Sequence, residues 1–247
     1  DAGGYRRLPE IQVACSGLSV TVAKEEWKQL GLGRKNMVIA LDWLHDAFCD
    51  APVLGSLLDP TKTDAAQLVQ LSDLSTSMDQ ALQQENTEAQ QEAAVVAHGL
   101  AKAASLLAHR YYWVITNVPY LQRGKQSQPL RDFSDKNYPA AKNDLATVFL
   151  DRCLNLCHEG GSSSVVLPQN WLFLSSYKKF REKLLNAETW NLIARLGEHG
   201  FESPQAAGAF VAMLTLTHGN ASNDRGALFA GEDSGHRVCG LDVSESR

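Results

Sequence analysis

The sequence predicts an α/β fold, a sheet of mainly parallel strands preceded by a mostly helical segment. Three observations predict it. Residues 111–116 read Tyr-Tyr-Trp-Val-Ile-Thr, an unbroken aromatic and β-branched run that suits a strand buried on both faces of a parallel sheet. From there to residue 217, strand-like and helix-like stretches alternate, the order of an α/β sheet. Before it, residues 64–108 are rich in Ala, Gln, Leu and Glu, as helices are. The expected division is a helical segment over 1–108, an α/β unit over 109–218 and a polar tail over 219–247.

The elements follow in chain order. Residues 11–22 are apolar and alternate over Leu18-Ser19-Val20-Thr21-Val22, which predicts a strand. A short helix is expected over 24–30, stopped by Gly31. Residues 36–48 place Val38, Leu41, Leu44 and Phe48 three or four apart, the spacing of an amphipathic helix. Pro52, Gly55 and Pro60 punctuate a loop. Two helices are expected over 65–83 and 86–108, forming a hairpin rather than a coiled coil, because no heptad is sustained. After the 111–116 strand comes a polar loop with Gly124, Pro129 and Pro139. A helix over 144–157 aligns Leu145, Val148, Phe149, Cys153 and Leu156, and Gly160-Gly161 ends it. A short strand over 164–167, a helix over 171–185 and strands over 192–196 and 210–217 complete the order.

Composition narrows the function. The net charge is −5, unusual for a whole nucleic-acid-binding unit. Residues 121–185 nevertheless hold ten Lys/Arg against six Asp/Glu, a local +4 that leaves −9 for the rest. Such a segment suits a phosphate backbone, although a solvated surface produces the same difference. No run approaches the length of a membrane span, so no membrane partner is expected. The first residues, Asp-Ala-Gly-Gly-Tyr-Arg-Arg, have neither Met nor a signal-peptide core. Five cysteines without a repeated spacing predict free thiols in a reducing, cytoplasmic compartment. Cys153 and Cys157, with His158 beside them, share a helix face, but no second ligand pair follows at zinc spacing, so they are read as buried thiols and no metal is expected.

The chemistry concentrates at Asn117-Val118-Pro119-Tyr120, which closes the 111–116 strand. Ligands of open α/β sheets bind at the carboxyl ends of strands. An aromatic amine is a poor nucleophile because its lone pair is delocalised into the ring. Two acceptors taking both of its N–H groups would turn the lone pair toward an incoming methyl group. The Asn117 side-chain oxygen and the Val118 carbonyl are such acceptors. Pro119 stiffens the turn and holds Val118 extended, and Tyr120 offers a face for a flipped base. As four residues alone, the tetrad reads equally well as a strand-to-loop turn.

Here the sequence resembles the γ-class N6-adenine-specific DNA methyltransferases, whose motif is Asn-Pro-Pro-Tyr. The departure, Val118 for the first proline, costs rigidity but keeps the main-chain carbonyl. The resemblance continues in family order through residues 142–150, then Gly160-Gly161 with 165–172, then 177–185, and then Leu196-Gly197-Glu198 with Phe201-Glu202 and 210–217. More loosely, residues 14–20 and 50–57 resemble the large methyltransferases of BREX phage defence and of fused restriction–modification systems. The resemblance implies part of a Rossmann-like methyltransferase sheet ending in a β-hairpin. It implies methyl transfer from S-adenosylmethionine to the N6 amine of a flipped adenine in double-stranded DNA. Phe201 would be a second wall for the base, and Arg123, Lys125, Lys178 and Lys179 would face the DNA backbone. Restriction or phage-defence subunits would be partners.

A cofactor turn of the Asp-Pro-Ala-Cys-Gly-Ser-Gly kind, where backbone must approach the ligand closely, is absent from the sequence before Asn117. Gly31-Leu32-Gly33 is too small a substitute. The expectation is the catalytic middle of a longer enzyme, inactive alone, with its main cofactor motif and its recognition domain elsewhere. A glutamine or RNA amino-methyltransferase, and a non-catalytic module binding DNA or protein, remain alternatives.

Overall fold

The computed structural model describes residues 11–16, 35–62, 88–197, 210–219 and 238–244. The chain divides into two compact units, Asp1–His109 and Arg110–Arg247.

In the first unit, the amphipathic spacing after residue 35 produces helix α1 (Lys35–Phe48), which buries Leu41, Leu44 and Phe48. The Pro/Gly-punctuated stretch expected to be a loop is a series of tight turns. A one-turn helix, α2 (Ala51–Leu54), is followed by 3-10 turns at Gly55–Leu57 and Pro60–Lys62. The Asp50 carbonyl accepts from the amides of Val53 and Leu54, and Gly55 takes the positive φ of 51° that stops the turn. The long helix α3 (Glu88–Ala108) packs on α1 and buries Ala93, Ala94, Ala97, Leu100, Ala101 and Ala104 along one stripe. Residues 11–16 adopt no regular element. The rest of the expected 11–22 strand, the 24–30 helix and the 65–83 helix lie outside the described residues.

The second unit is the α/β half. Its elements are β1 (Tyr111–Asn117), α4 (Gln128–Asn137), α5 (Leu145–Asn155), β2 (Cys157–Pro168), α6 (Lys178–Ala187), β3 (Glu188–Gly197), β4 (Val211–His218) and β5 (Cys239–Asp242). The sheet order is β1-β2-β4-β3-β5. The pairs β1/β2 and β3/β5 are parallel, while β4 is antiparallel to both β2 and β3. Four strands therefore point one way and β4 opposes them. The β3–β4 pairing is the hairpin expected at the end of the sheet, preceded by helices as the sequence implied.

The core lies between the sheet and its helices. α5 packs on β2 and β4, and α6 on β3. Trp171, 1% exposed, sits between Phe180 and Trp190 at ring distances of 5.6 and 6.0 Å. Buried aromatics of this size carry much of a domain's apolar burial.

Several expectations are corrected. β1 is not buried on both faces: Tyr112, Trp113 and Ile115 are 78%, 64% and 71% exposed. It is an outer strand, paired only with β2 among the described residues. An apolar run cannot reveal whether its strand lies in the middle of a sheet or at its edge. The Gly160-Gly161 pair does not separate helix from strand. α5 ends at Asn155, and β2 already begins at Cys157 and absorbs the glycines as an irregularity. Between Tyr111↔Cys157 and Trp113↔Ser162, β1 advances two residues and β2 five. Part of the expected polar loop is helix α4, with a proline in its first turn, where its missing N–H costs no bond. The 171–185 helix begins only at Lys178, after 3-10 turns at Gln169–Leu172 and Ser175–Tyr177. Within the expected polar tail, Cys239–Asp242 adds a strand beside β3.

Candidate functional site

The parallel strands bring their carboxyl ends to one rim of the sheet. Asn117, the last residue of β1, is level with Val166 of β2, which is level with Met213 of β4. The 117–120 tetrad leaves the sheet at this rim. Val118 is buried, at 3% exposure, while Asn117 and Pro119 are exposed and Tyr120 is half-buried. The apolar side chain of Val118 thus anchors the turn, and the two residues around it face outward. The Tyr120 hydroxyl donates to Asn117 Oδ1 at 3.4 Å, a long and weak bond. Burial raises the Tyr120 phenol above its ordinary range, and the nearby Asp144 carboxylate adds to the rise.

The chain after the tetrad is pinned from two directions. The Leu121 amide donates to Asp144 Oδ1 at 3.4 Å. The Leu121 carbonyl accepts from Gln126 Nε2 and from the Leu145 amide, each at 3.0 Å. Gln122 and Asp144 form an antiparallel bridge, and the Arg123 amide donates to the Asn143 carbonyl at 3.0 Å. Asp144 is the N-cap of α5, accepting from the Ala146 amide at 2.9 Å. Burial raises its carboxyl, and the amides of Ala146 and Leu121 partly offset the rise. Asn143 extends the connection by donating through Nδ2 to the Ser176 carbonyl at 2.9 Å. Tyr177, buried next along the chain, has its phenol raised by burial and then by Asp144.

The cations expected to face a phosphate backbone differ in their engagement. Arg123 Nη2 pairs with Asp135 Oδ2 at 2.6 Å, and Lys142 holds the other oxygen at 2.9 Å. Those two donors keep the Asp135 carboxyl below its usual range. Lys125 and Lys179 are exposed, and Lys178 is exposed with Glu182 at 3.7 Å. Two neighbours on α6 are structural: Arg181 donates to the carbonyls of Trp171 and Leu174 at 2.6 and 2.7 Å, and Lys183 pairs with the buried Asp151. Phe201 lies outside the described residues, as do Gly31 and Gly33. Among the described residues no three His, Cys, Asp or Glu side chains gather at metal-binding distance. Cys157 Sγ instead donates to the Cys153 carbonyl at 3.3 Å. No described helix is long and apolar enough to cross a membrane.

Sequence reasoning missed Asp144, Asn143 and Gln126 as parts of this site. Asp144 carried a signal, since an Asp just before an apolar helical stretch marks an N-cap. Gln126 carried none, because its partner is a carbonyl five residues back.

Residues 17–201 match the family model of the Eco57I restriction-modification methylase. The chain is 37% identical over 105 residues to the adenine-specific methyltransferase PglX of Lacticaseibacillus casei (strain Zhang), covering 42% of this chain and 8% of that protein. It is 33% identical over 154 residues to the adenine-specific methyltransferase BrxX of Escherichia coli O9:H4 (strain HS), covering 62% of this chain and 12% of that protein. The chain thus spans about a tenth of the length of these relatives. Among solved structures, a class I S-adenosylmethionine-dependent methyltransferase from Listeria monocytogenes aligns with 91% of this chain and 74% of its own, at 13% identity and a TM-score of 0.41.

Proposed function

This chain belongs to the Eco57I restriction-modification methylase family, and we propose that it carries the adenine-holding half of a DNA methyltransferase active site. The observation that carries the reading is the tetrad at the carboxyl end of β1, with Val118 buried as its anchor, Asn117 exposed and Tyr120 half-buried beside it.

The reaction is methyl transfer to the N6 amine of an adenine flipped out of double-stranded DNA. Asn117 Oδ1 and the Val118 carbonyl accept the two N6–H groups and give the nitrogen a more tetrahedral geometry. An incoming amine takes the Asn117 oxygen from the Tyr120 hydroxyl, which holds it only loosely at 3.4 Å. Tyr120 then lies against the base, and Phe201 is the second wall. S-adenosylmethionine supplies an activated methyl group. On accepting it, the N6 nitrogen would give up one of its two hydrogens as a proton to solvent. Orientation and fixed acceptors are the chain's own contribution to the rate. Lys125, Lys178 and Lys179 meet the DNA backbone. Arg123 joins them by exchanging Asp135 for a phosphate.

The described residues hold no Gly-rich turn between a strand and a helix, so they do not fit the main cofactor motif. We place that motif elsewhere in a longer cytoplasmic protein, against the outer edge of β1 with its exposed Tyr112, Trp113 and Ile115. The protein would act in restriction–modification or phage defence, with 219–247 leading to a recognition domain and with restriction or defence subunits as partners. The test is Asn117→Ala in the full-length protein. Methylation of DNA is expected to fall at least about 100-fold with DNA binding retained. Unchanged methylation refutes the assignment and favours a binding module.

A further inference from the structure

We propose that Gln126 and Asp144 are positioning residues for the methyl transfer, steadying the backbone at Leu121 so that the two acceptors of the tetrad stay where the amine needs them. The inference rests on the reading of the tetrad given above. Asp144 accepts the Leu121 N–H at a long 3.4 Å, and Gln126 donates to the Leu121 C=O at 3.0 Å, so side chains from before and at the start of α5 engage both backbone polar groups of one residue, and with them the two peptide units that flank it. The Leu145 amide supplies a third bond, to the same carbonyl.

The tetrad transmits this hold. Pro119 has a fixed φ, and the proline restricts Val118 to an extended backbone. Val118 is itself buried. Between the Leu121 nitrogen and the Val118 carbonyl the only soft torsions are therefore Pro119 ψ and the two of Tyr120. Both positioning residues are buried, Asp144 at 7% and Gln126 at 4% exposure, so they act through the peptide rather than on the base. Gln126 does so at a cost. Its Oε1 is buried without a hydrogen-bond partner among the described residues. A glutamine kept in that state is explained by what its Nε2 does.

The experiment compares Asp144→Ala, Asp144→Asn, Gln126→Met and Asn117→Ala in the full-length protein, with labelled S-adenosylmethionine and DNA as probes. Asp144→Ala and Gln126→Met are expected to lower kcat about 10- to 100-fold, the scale of a small misplacement of reacting groups. KM for S-adenosylmethionine and Kd for DNA should stay within about threefold of the parent, because binding is not what the peptide controls. Asp144→Asn, which keeps an acceptor for the Leu121 and Ala146 amides, should restore most of kcat. A role confined to stability would lower the melting temperature without this split. If Gln126→Met and a folded Asp144→Ala keep the parental kcat while Asn117→Ala abolishes methylation, the positioning role is wrong and the tetrad reading stands. If Asn117→Ala is itself harmless, both fall. Should Asp144→Ala fail to fold, the nearly isosteric Gln126→Met decides alone. Failure of Asp144→Asn to rescue a folded Asp144→Ala would show that accepting the Leu121 amide is not what Asp144 contributes, and would remove Asp144 from the proposal.

Discussion

Cys153 lies in the last turn of α5 and Cys157 is the first residue of β2, and both thiols are pushed well above their ordinary value of 9.0. Cys153 reaches about 12 by burial and then by its neighbour Cys157, and Cys157 reaches about 11 by burial and then by the Glu188 carboxylate. The thiolate is the reactive form, so both should be inert at pH 8 in the folded protein. Alkylation at that pH is expected to label the exposed Cys15, Cys49 and Cys239 first, with Cys153 and Cys157 following only on unfolding. Mass spectrometry of the labelled peptides checks this, and rapid native labelling of Cys153 would contradict it. The linkage has a definite sign. In the unfolded chain these thiols ionise near pH 9, while in the fold they keep their protons. Their contribution to stability is thus complete below pH 9, declines above it and is lost beyond about 12. Asp135 runs the other way. Its paired carboxylate favours the fold at neutral pH, and that contribution fades as acid protonates it below 3.8.

At the scale of elements, the irregular start of β2 determines how β1 is presented. A Cβ added at Gly161 would lie 2.8 Å from the Tyr111 carbonyl oxygen and 3.0 Å from that of His158. Both obstacles are backbone, and neither can rotate away. The glycine therefore lets β2 pass closely beneath the first residue of the strand that ends in the tetrad. Gly161→Ala is expected to cost about 1–3 kcal/mol, the range of overpacking a filled site. Urea denaturation followed by Trp fluorescence would measure it, and a variant as stable as the parent would show that the bulge can relax. α5 provides the second control on the tetrad. Its capping residue, Asp144, also accepts from the Leu121 amide, so the start of the helix and the end of the 117–120 turn meet at one carboxylate.

At the scale of the whole molecule, the chain pairs a basic stretch with an acidic remainder. The +4 over 121–185 covers the segment after the tetrad, while the rest carries −9. The chain spans about a tenth of the curated relatives it matches, and the described residues contain no Gly-rich cofactor turn. The purified 247-residue chain is therefore expected to transfer no methyl group to duplex DNA above background. A tritium-transfer assay tests this, and robust methylation by the chain alone would show that it holds a cofactor site of another kind. The amphipathic period of α1, the strand-forming run of β1, the alternating α/β order and the position of the tetrad were all legible in the sequence, because each depends on neighbours a few residues apart. The order β1-β2-β4-β3-β5, the exposure of β1 and the passage of Gly161 within the sheet were decided by tertiary structure. So was the convergence of Asp144 and Gln126 on Leu121. Those features depend on which strands meet and on which polar groups burial forces to find partners, and both are settled only when distant parts of the chain pack together.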